Sequence, residues 1–316
     1  MPTVGIVLIN WNSAEYTLRC VSSIERGDFK DYRIYVVDNA SADNSLETLS
    51  RLGNSVQLIA NKSNDGWAGG GNVGVKAAMA DGCEHIFLLN NDAEVQVDTI
   101  GRLVAAGDAL GPSVVLGSLV IDKPTEEIQF LGTEIDPGSG TPRWFNQTAD
   151  AHLVRQDYIP SATIHGAALF ARADHFRKVG LFDERFFLNF DDTDWCTRAI
   201  KAGLRCMVVT LAMVEHFTSG SIGGVESPLQ FYFLYRNELL FGRKHCSPRQ
   251  RLVIVARMAR AFLRTVRREM TARPRAFRQT RAAVRGVLDF VLRRFGDCPT
   301  SIRRLHAEWR ARPAAA

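Results

Sequence analysis

The sequence lacks the signatures of several protein classes. Its six cysteines form no C-x-x-C pair and no zinc-ligand spacing, and no charged segment followed by an apolar one opens the chain. No apolar run approaches the roughly 20 residues that cross a bilayer. There is no Walker A loop and no internal repeat. We therefore expect a cytoplasmic protein without a structural zinc site or a membrane span.

Alternating segments predict an α/β fold. Apolar runs typical of buried strands alternate with helical patterns, which favours a mostly parallel central sheet flanked by helices. The predicted strands are Val4–Ile9, Arg33–Val37, Val56–Ala60, Ile86–Leu89, Val114–Leu119, Gly166–Ala171 and Arg205–Val209. The predicted helices are Ala14–Ile24, Ser45–Leu52, Asn72–Met79, Thr99–Leu110, Ala173–Val179, Asp192–Ala202 and Leu229–Lys244. Residues 122–160, with four prolines, predict a loop or hairpin excursion near a substrate.

Polar and small residues mark two of the predicted helix starts. Asn12 is predicted to cap the first helix, with Glu15 at its third position. In the segment NDGWAGGGN, three glycines come directly before the helix predicted from Asn72. Backbone N–H groups at such a place favour an anion, so the segment indicates either a phosphate contact or an ordinary turn.

Two acidic residues follow predicted buried strands directly. Asp38 stands in VVDNAS and Asp92 in FLLNND, so both carboxylates should emerge at the carboxyl edge of the sheet, where ligands of open α/β sheets bind. Carboxylates gathered there suit Mg²⁺ or Mn²⁺ and the diphosphate that the metal neutralises. The sequence therefore predicts an enzyme acting on a nucleotide-activated substrate.

Each of these residues also has a purely structural interpretation. Asp38 can accept a hydrogen bond from the N3–H of a uracil or thymine ring, or else it or Asp43 can cap the next helix. Asp92 can bind a metal on the diphosphate or be a turn aspartate. His216, in VEHFTSGSIGG, can contact metal or diphosphate or be structural.

A third acidic group follows the apolar run in FFLNFDDTDW. Adjacent carboxylates raise one another's pKa, and one of them, near an acceptor hydroxyl, could remove its proton as general base. Asp191 or Asp192 could instead cap a helix, which is favourable at the positive end of the helix dipole. The two roles are compatible if the two residues divide them.

The motifs together resemble bacterial family 2 glycosyltransferases, most closely a rhamnosyltransferase-like branch that builds cell-surface polysaccharide. The similarity runs from Val4 to about His245. It is carried, in this order, by VLINWNSAEYTLRCVSSI, VVDNASADNS, NDGWAGGGNVGV, FLLNNDAEV, GAALFARADHFRKVGLFDERFF, DDTDWCTRAIKAG, HFTSGSIGG and FYFLYRNELLFGRKH. Any one of these motifs would be a weak signal, whereas eight in the family's order are specific.

The resemblance implies a GT-A fold and an inverting transfer that depends on Mg²⁺ or Mn²⁺. By this comparison Asp92 and His216 are the metal ligands, Asp192 is the catalytic base with Asp191 beside it, and Asp38 reads the base of the nucleotide. The candidate contacts to the nucleotide sugar are Asn10, Asn12, Asp38, Trp67, Gly70, Asn72, Asn91 and Asp92. The candidate contacts on the acceptor side are Gly166 and Ala167.

The sequence departs from the family pattern at two positions. Asn90 stands where the first acid of the D-x-D motif is frequent, and this removes charge from the metal site. Asp191 replaces the usual Glu of the catalytic motif, so either of the two neighbouring carboxylates could reach the acceptor.

The resemblance leads to an expected domain plan and substrates. Residues 1–245 would form the catalytic domain, with nucleotide-sugar binding in 1–120 and acceptor binding in 121–245. The donor would be dTDP-rhamnose or a UDP-sugar, and the acceptor a hydroxyl of a glycan or glycolipid. The alternatives are a nucleotidyltransferase, which should carry an early basic Gly-rich segment that residues 1–15 lack, and a non-catalytic nucleic-acid or membrane-binding protein.

The C-terminal residues are strongly basic. Residues 243–316 have a net charge of +16, whereas residues 1–242 have a net charge of −11. In the first predicted helix of this region, one face is apolar (Leu252, Val255, Ala259, Phe262, Leu263, Val266) and the opposite face basic (Arg257, Arg260, Arg264, Arg267, Arg268). A second helix is predicted from Phe277 to Phe295. We expect residues 246–316 to contact an anionic membrane, with packing on the catalytic domain or in a homodimer as alternatives and no nucleic acid as partner.

Overall fold

The computed structural model describes residues 3–145, 150–217, 226–271 and 277–311. The strands are β1 (Val4–Asn10), β2 (Tyr32–Asp38), β3 (Gln57–Ala60), β4 (His85–Asn90), β5 (Ala93–Val95), β6 (Val114–Asp122), β7 (Ile128–Phe130), β8 (Thr133–Ile135), β9 (Pro142–Trp144), β10 (Tyr158–Ser161), β11 (Ala168–Arg172) and β12 (Arg205–His216). The α-helices are α1 (Ala14–Arg26), α2 (Ser45–Ser50), α3 (Gly66–Ala80), α4 (Thr99–Leu110), α5 (Ala173–Val179), α6 (Asp191–Lys201), α7 (Pro228–His245), α8 (Pro248–Thr271), α9 (Arg278–Val291) and α10 (Thr300–Arg310).

The described residues fall into two compact units. The first comprises residues 3–135, 142–184 and 191–217 within the described ranges, and the second comprises 136–141, 185–190 and the described residues from 226 onward. The expected boundary at residue 245 lies inside the second unit, because α7 packs on α8, α9 and α10. The assignment of separate functions to residues 1–245 and 246–316 stays a prediction.

Ten of the described strands of the first unit form one sheet. Its order is β10-β12-β6-β11-β4-β1-β2-β3, with β5 beside β12 and β7 beside β6. The strands β4, β1, β2 and β3 are mutually parallel, whereas β11 runs antiparallel between β4 and β6. The middle strands are apolar along nearly their whole length because both faces of the sheet are covered.

The predicted α/β pattern is confirmed for each predicted strand and for the helices of the first unit, with changes at the ends. The helices predicted at Thr99–Leu110 and Ala173–Val179 have those bounds in the structure. The strand predicted to end at Val209 continues to His216 after an irregularity in the pairing with β6. The proline-containing excursion contains the short strands β7 to β10.

The glycine-rich segment is part of a helix, and the prediction that it precedes the helix was wrong. Helix α3 begins at Gly66, and the N–H of Gly69 already bonds to the carbonyl of Asp65. A Cβ on Gly74 would lie 2.2 Å from Cγ1 of Val7, and one on Gly70 would lie 2.9 Å from Cγ2 of Ile9. These glycines therefore let α3 pack closely on β1, and the nucleotide-sugar contact at Gly70 stays a prediction.

The predicted cap of the first helix was also wrong. Ser13, and not Asn12, is the N-cap residue of α1. Asn12 has a left-handed backbone with φ of 51°, and its side-chain oxygen accepts a hydrogen bond from the N–H of Ala42 at 2.7 Å. Its own N–H donates to Oγ of Ser41 at 2.9 Å. Asn12 thus connects the loop after β1 to the loop after β2.

In the second unit, α7 carries two fully buried polar residues, Arg236 and Asn237, in a helix that is otherwise mostly apolar. Nη1 of Arg236 donates to the carbonyl of Gly296 at 2.6 Å, and Nη2 donates to that of Phe186 at 3.0 Å. The side-chain amide of Asn237 donates to the carbonyls of residues 186, 188 and 189 at 2.7–2.9 Å. The side chain of Asn237 also accepts a hydrogen bond from Nε of Arg236.

These bonds hold an unusual backbone segment. Phe187, Asn189 and Phe190 have φ values of 63°, 67° and 67°, in the left-handed region that side chains other than glycine rarely adopt. The segment has no regular secondary structure in which to satisfy its carbonyls, so the two α7 side chains supply the donors.

We predict that Arg236→Met and Asn237→Leu each destabilise the protein, by about 3 kcal/mol or more, because each leaves buried carbonyls without a donor. The melting temperature by calorimetry measures the effect. Arg243→Met is the matched control, since Arg243 is exposed two turns further along the same helix. Equal melting temperatures for the Arg236 and Arg243 variants would contradict this account.

Candidate active site

The parallel strands bring polar residues to one edge of the sheet. Asn10 at the end of β1 pairs in register with Asp38 at the end of β2, and Ile9 pairs with Asn90 at the end of β4. Asp92 follows two residues after Asn90 and is buried. The sheet thus gathers, at its carboxyl edge, the two acidic residues that the sequence places after strands.

Asp38 is held by its neighbours and does not cap a helix. Its Oδ1 accepts from Nδ2 of Asn10 at 2.8 Å and from Oγ of Ser41 at 2.6 Å, while Oδ2 accepts from the N–H of Ser41 at 3.0 Å. Asp43 instead accepts from the N–H of Ser45, the first residue of α2. The single bond at Oδ2 leaves Asp38 with capacity to accept one more hydrogen bond.

Two further candidate nucleotide-sugar residues bind the start of α1. Oδ1 of Asn10 accepts from Oγ1 of Thr17 at 2.8 Å, and Nδ2 of Asn91 donates to Oγ of Ser13 at 2.8 Å and to Oγ1 of Thr17 at 2.9 Å. Asn10 and Asn91 are buried. Their amides therefore fix the loop and helix that follow β1.

Asn72 is buried in α3 and holds a segment that comes before α6. Its Nδ2 donates to the carbonyl of Phe182 at 3.0 Å and to Oε1 of Glu184 at 2.9 Å, and its Oδ1 accepts from the N–H of Phe182. Both the donor and the acceptor side of this amide are used within the protein.

A hydrogen-bonded chain connects Trp67, Asn90, His216 and Asp92. Nε1 of Trp67 donates to Oδ1 of Asn90 at 2.9 Å, so the amide nitrogen of Asn90 faces Nε2 of His216 at 3.1 Å. The same Nε2 lies 3.0 Å from Oδ1 of Asp92. Nδ1 of His216 lies 2.9 Å from Oε1 of Gln129, an acceptor, which places the ring proton on Nδ1 in the neutral form. Sequence reasoning missed Gln129, since a lone glutamine after a loop gives no motif.

In the neutral ring of His216, the contact between Nε2 and Oδ1 of Asp92 has no proton to share. One Nε2 cannot both accept from Asn90 and donate to Asp92, and with the proton on Nδ1 its lone pair faces a carboxylate oxygen. A divalent cation that replaced the Asn90 N–H at the Nε2 lone pair would be bound by Nε2 and the carboxylate together, and a second-shell bond at Nδ1 commonly accompanies metal ligation. Asp92 and His216 therefore fit a metal as two protein ligands. In the described part of the chain, no group of three or more His, Cys, Asp or Glu side chains could hold a metal.

Glu215, next to His216 on β12, is paired with Lys123, and Glu94 lies 4.0 Å from the same ammonium. These three side chains are partly exposed. The pairing gives Glu215 a structural role on the strand that carries His216.

Asp192 is positioned by the backbone of Gly166. The N–H of Gly166 donates to Oδ2 of Asp192 at 2.8 Å, and the N–H of Thr193 donates to Oδ1. A Cβ on Gly166 would lie 3.3 Å from that Oδ2 and 3.2 Å from the Trp67 ring, tighter than most such contacts. Glycine therefore lets the loop, the indole and the carboxylate meet. The next residue, Ala167, is fully buried and accepts the N–H of Asn90 through its carbonyl.

Asp191 and Asp192 have different electrostatic surroundings. Burial, followed by the charge of Asp192, raises the pKa of Asp191 well above its usual range. Burial also raises the pKa of Asp192, but the hydrogen bonds from Gly166 and Thr193 stabilise its carboxylate and act in the opposite direction. Neighbouring groups whose pKa values are pushed apart divide acid and base roles, and here Asp192 is the residue favoured as the ionised member.

His165 lies directly before Gly166 in the loop between β10 and β11, and it was not singled out from the sequence. Its Nδ1 accepts from the N–H of Ala167 at 3.1 Å, and its ring packs against Phe130, Trp144 and His216 with centroid distances of 5.4, 5.3 and 6.1 Å. Burial, followed by the neighbouring His216, lowers the pKa of His165 to about 3. The imidazole is therefore neutral at physiological pH.

The comparisons with known proteins identify the family. The model of the family described as "Glycosyl transferase family 2" matches residues 5–180, more than half of the chain. The chain belongs to glycosyltransferase family 2. The resemblance stated from the motifs is thereby confirmed.

Relatives of known role are distant. The dTDP-rhamnosyl transferase RfbF of Shigella flexneri is 23% identical over 222 residues, 68% of this chain and 72% of the relative. The succinoglycan biosynthesis protein ExoO of Rhizobium meliloti is 27% identical over 239 residues, 71% of this chain and 64% of the relative.

Solved structures show the same fold. A structure of GalNAc-T7 with UDP, GalNAc and Mn²⁺ has a TM-score of 0.62 at 14% identity, over 92% of this chain but little more than half (56%) of that one. The mannosyltransferase PcManGT from Pyrobaculum calidifontis, in complex with GDP-Man and Mn²⁺, has a TM-score of 0.59 at 14% identity, over 92% of this chain and 87% of that one. The predicted GT-A fold is confirmed, and the family makes this glycosyltransferase an enzyme of the transferase class.

The family-like motif HFTSGSIGG is only partly within the described ranges, since residues 218–225 lie outside them. Among the described helices, none combines the length and apolar character needed to cross a bilayer.

Proposed function

We propose that this glycosyltransferase moves a sugar from a nucleoside-diphosphate donor to a hydroxyl group, with inversion at the anomeric carbon. The observation that carries the proposal is the position of Trp67 between two chemically distinct centres. Its indole N–H bonds to Asn90 of the Asp92–His216 centre, and its ring edge meets Gly166, which holds Asp192. A group that binds diphosphate and a group that accepts a proton are thus connected through one side chain.

Asp192 is the proposed catalytic base. A single displacement needs one base that removes the acceptor proton as the hydroxyl attacks, and this gives inversion. The bond from Gly166 fixes one carboxylate oxygen, and Asp192 is only half-buried, so its carboxylate can meet a substrate. Asp191 is buried and has the more strongly raised pKa, which suits the neutral neighbour.

Asp92 and His216 are the proposed ligands of Mg²⁺ or Mn²⁺, with donor oxygens and water completing the coordination. A bound metal would supply positive charge to the departing diphosphate. The structures of GalNAc-T7 and PcManGT, which have this fold, were solved with Mn²⁺, and this supports the choice of a divalent cation.

We propose dTDP-rhamnose or a UDP-sugar as donor. The free acceptor capacity of Asp38 suits the N3–H of a pyrimidine base, and RfbF is named a dTDP-rhamnosyl transferase. The names of ExoO and of the low-salt glycan biosynthesis hexosyltransferase Agl10 of Haloferax volcanii support a glycan or glycolipid acceptor in polysaccharide synthesis. The family match gives no support to the alternative of a nucleotidyltransferase.

An anionic membrane surface is the proposed partner of α8. The buried face of α8 differs from the predicted apolar face, because it includes Ile254 and Met258. Leu252, Val255 and Leu263 are 72, 52 and 55% exposed and recur at helical spacing, so they form an exposed apolar stripe.

The charges beside this stripe favour anionic lipid over an uncharged partner. Arg260 and Arg267 are exposed, and Arg267 stands one turn after Leu263. Two arginines of the predicted basic face are used within the second unit, because Arg257 pairs with Glu238 and Arg268 with Glu226. The remaining exposed arginines, beside apolar side chains that can insert, match a bilayer interface with negative headgroups.

Substitution of each carboxylate in turn tests whether Asp192 is the base. Asp192→Asn should lower donor turnover by about 100-fold or more while donor affinity by calorimetry survives, since the change removes a proton acceptor and keeps the shape. Asp191→Asn is the matched control and should keep activity within a few-fold. If Asp191→Asn is the inactive variant, the assignment is wrong.

The raised pKa of Asp191 also predicts a pH-dependent stability. As pH rises from about 4 towards the raised value, Asp191 ionises in the unfolded chain but stays protonated in the folded protein, and this destabilises the fold. The melting temperature of Asp191→Asn should therefore increasingly exceed that of wild type over this range.

Metal dependence is tested by removal and by affinity. EDTA should stop turnover and Mn²⁺ or Mg²⁺ should restore it. Asp92→Asn and His216→Gln should each weaken Mn²⁺ binding, titrated calorimetrically with nucleoside diphosphate present, by at least about 10-fold. Glu215→Gln, the neighbour on β12, should bind Mn²⁺ as wild type does. Full turnover in chelator would rule out the metal role.

Vesicle sedimentation tests the α8 surface in the full chain, because deleting α8 to α10 would remove the packing of α7. Leu252→Ser with Leu263→Ser should release the protein from anionic vesicles, and Arg260→Gln with Arg267→Gln should weaken binding by roughly 30-fold at low salt, at about 1 kcal/mol per arginine. Leu211→Ser, also at an exposed leucine, is the control. Equal binding to neutral vesicles, or a dimer that the serine substitutions dissociate, would contradict the proposal.

A further inference from the structure

His165 presents an N–H group that no described residue accepts. Because Nδ1 accepts the N–H of Ala167, the proton of the neutral ring is on Nε2. Nδ1 of His85 and of His175 are also without a partner in the described chain, but those atoms are buried, whereas Nε2 of His165 is not. His165 is half-buried, so this donor remains accessible to a ligand.

The ring is held at the centre of the candidate active site. The ring contacts that of His216, whose Nε2 lies beside Asp92. The next residue in the chain is Gly166, which bonds to Asp192. The Trp144 ring meets it edge to face at 89°, and the preceding Ile164 N–H donates to Sγ of Cys196 at 3.3 Å. The side chain and its backbone are therefore both fixed before a ligand binds, which lowers the entropic cost of the contact.

We propose that His165 is a substrate-binding residue whose Nε2–H donates to an oxygen of the β-phosphate in the diphosphate group of the donor. The proposal rests on the proposed function. Contact with His216 places the ring beside the centre that we assign to the diphosphate. A neutral donor adds a hydrogen bond to an anionic oxygen without adding positive charge beside the metal ligands, and such charge-assisted bonds are stronger than neutral ones.

The two ring nitrogens have separable roles, and this gives matched variants. In His165→Asn the side-chain oxygen can replace Nδ1 as acceptor for Ala167, but nothing replaces Nε2–H. In His165→Gln the amide nitrogen reaches the Nε2 position and keeps a donor there. His165→Phe keeps the aromatic contacts with Phe130 and Trp144 and removes both polar atoms.

The experiment measures calorimetric affinities for dTDP and dTMP, and for UDP and UMP, with Mg²⁺ present. His165→Asn and His165→Phe should weaken nucleoside diphosphate binding by about 10-fold, while monophosphate binding should change little. His165→Gln should recover most of the loss. Unchanged diphosphate affinity in His165→Asn, or equal losses for mono- and diphosphate, would overturn the proposal.

A second measurement uses the unaltered protein and does not depend on a variant that folds. The Nε2–H resonance of His165 in ¹⁵N-labelled protein should move on addition of dTDP and much less on addition of dTMP. A resonance that moves with neither nucleotide, while dTDP binds, would overturn the proposal. Wild-type protein that binds none of the four nucleotides would contradict the proposed donor class itself, and this inference with it.

Discussion

The parallel pairing of β1 with both β2 and β4 is the constraint on which the site depends. Because three strands end at the same edge, Asn10, Asp38 and Asn90 emerge there together and Asp92 follows. Closely packed glycines bring α3 onto β1 and with it Trp67. A shift in the register of one strand would separate these groups, since the side-chain direction alternates along a strand.

Asn90 connects the chemistry on this edge. At the position where the family often has an acid, its amide accepts from the Trp67 indole and faces His216 with its nitrogen. An aspartate at this position could accept from Trp67 but could not donate to His216. The departure from the family pattern thus exchanges a negative charge for a fixed orientation of two neighbouring side chains.

Backbone groups do much of the positioning of the remaining residues. Gly166 holds Asp192 through its N–H, and Ala167 binds both Asn90 and His165 through its peptide groups. These contacts need no particular side chain at positions 166 and 167 except that glycine leaves room. In the second unit, side chains instead position the backbone, because Arg236 and Asn237 donate to carbonyls that lie outside any helix or strand.

The sequence by itself determined the family, the alternation of strands and helices, and the acids at strand ends, because buried parallel strands and ordered motifs leave direct signals in one dimension. Local rules misplaced Asn12 and the glycines, since tertiary packing decides which of several polar or small residues begins a helix. Only the tertiary structure decided that Asn72 holds the segment at Phe182, that Gln129 fixes the ring of His216, and that His165 presents an N–H which no described residue accepts. Each of these contacts joins residues whose relation depends on the position and orientation of side chains, which a sequence pattern does not encode.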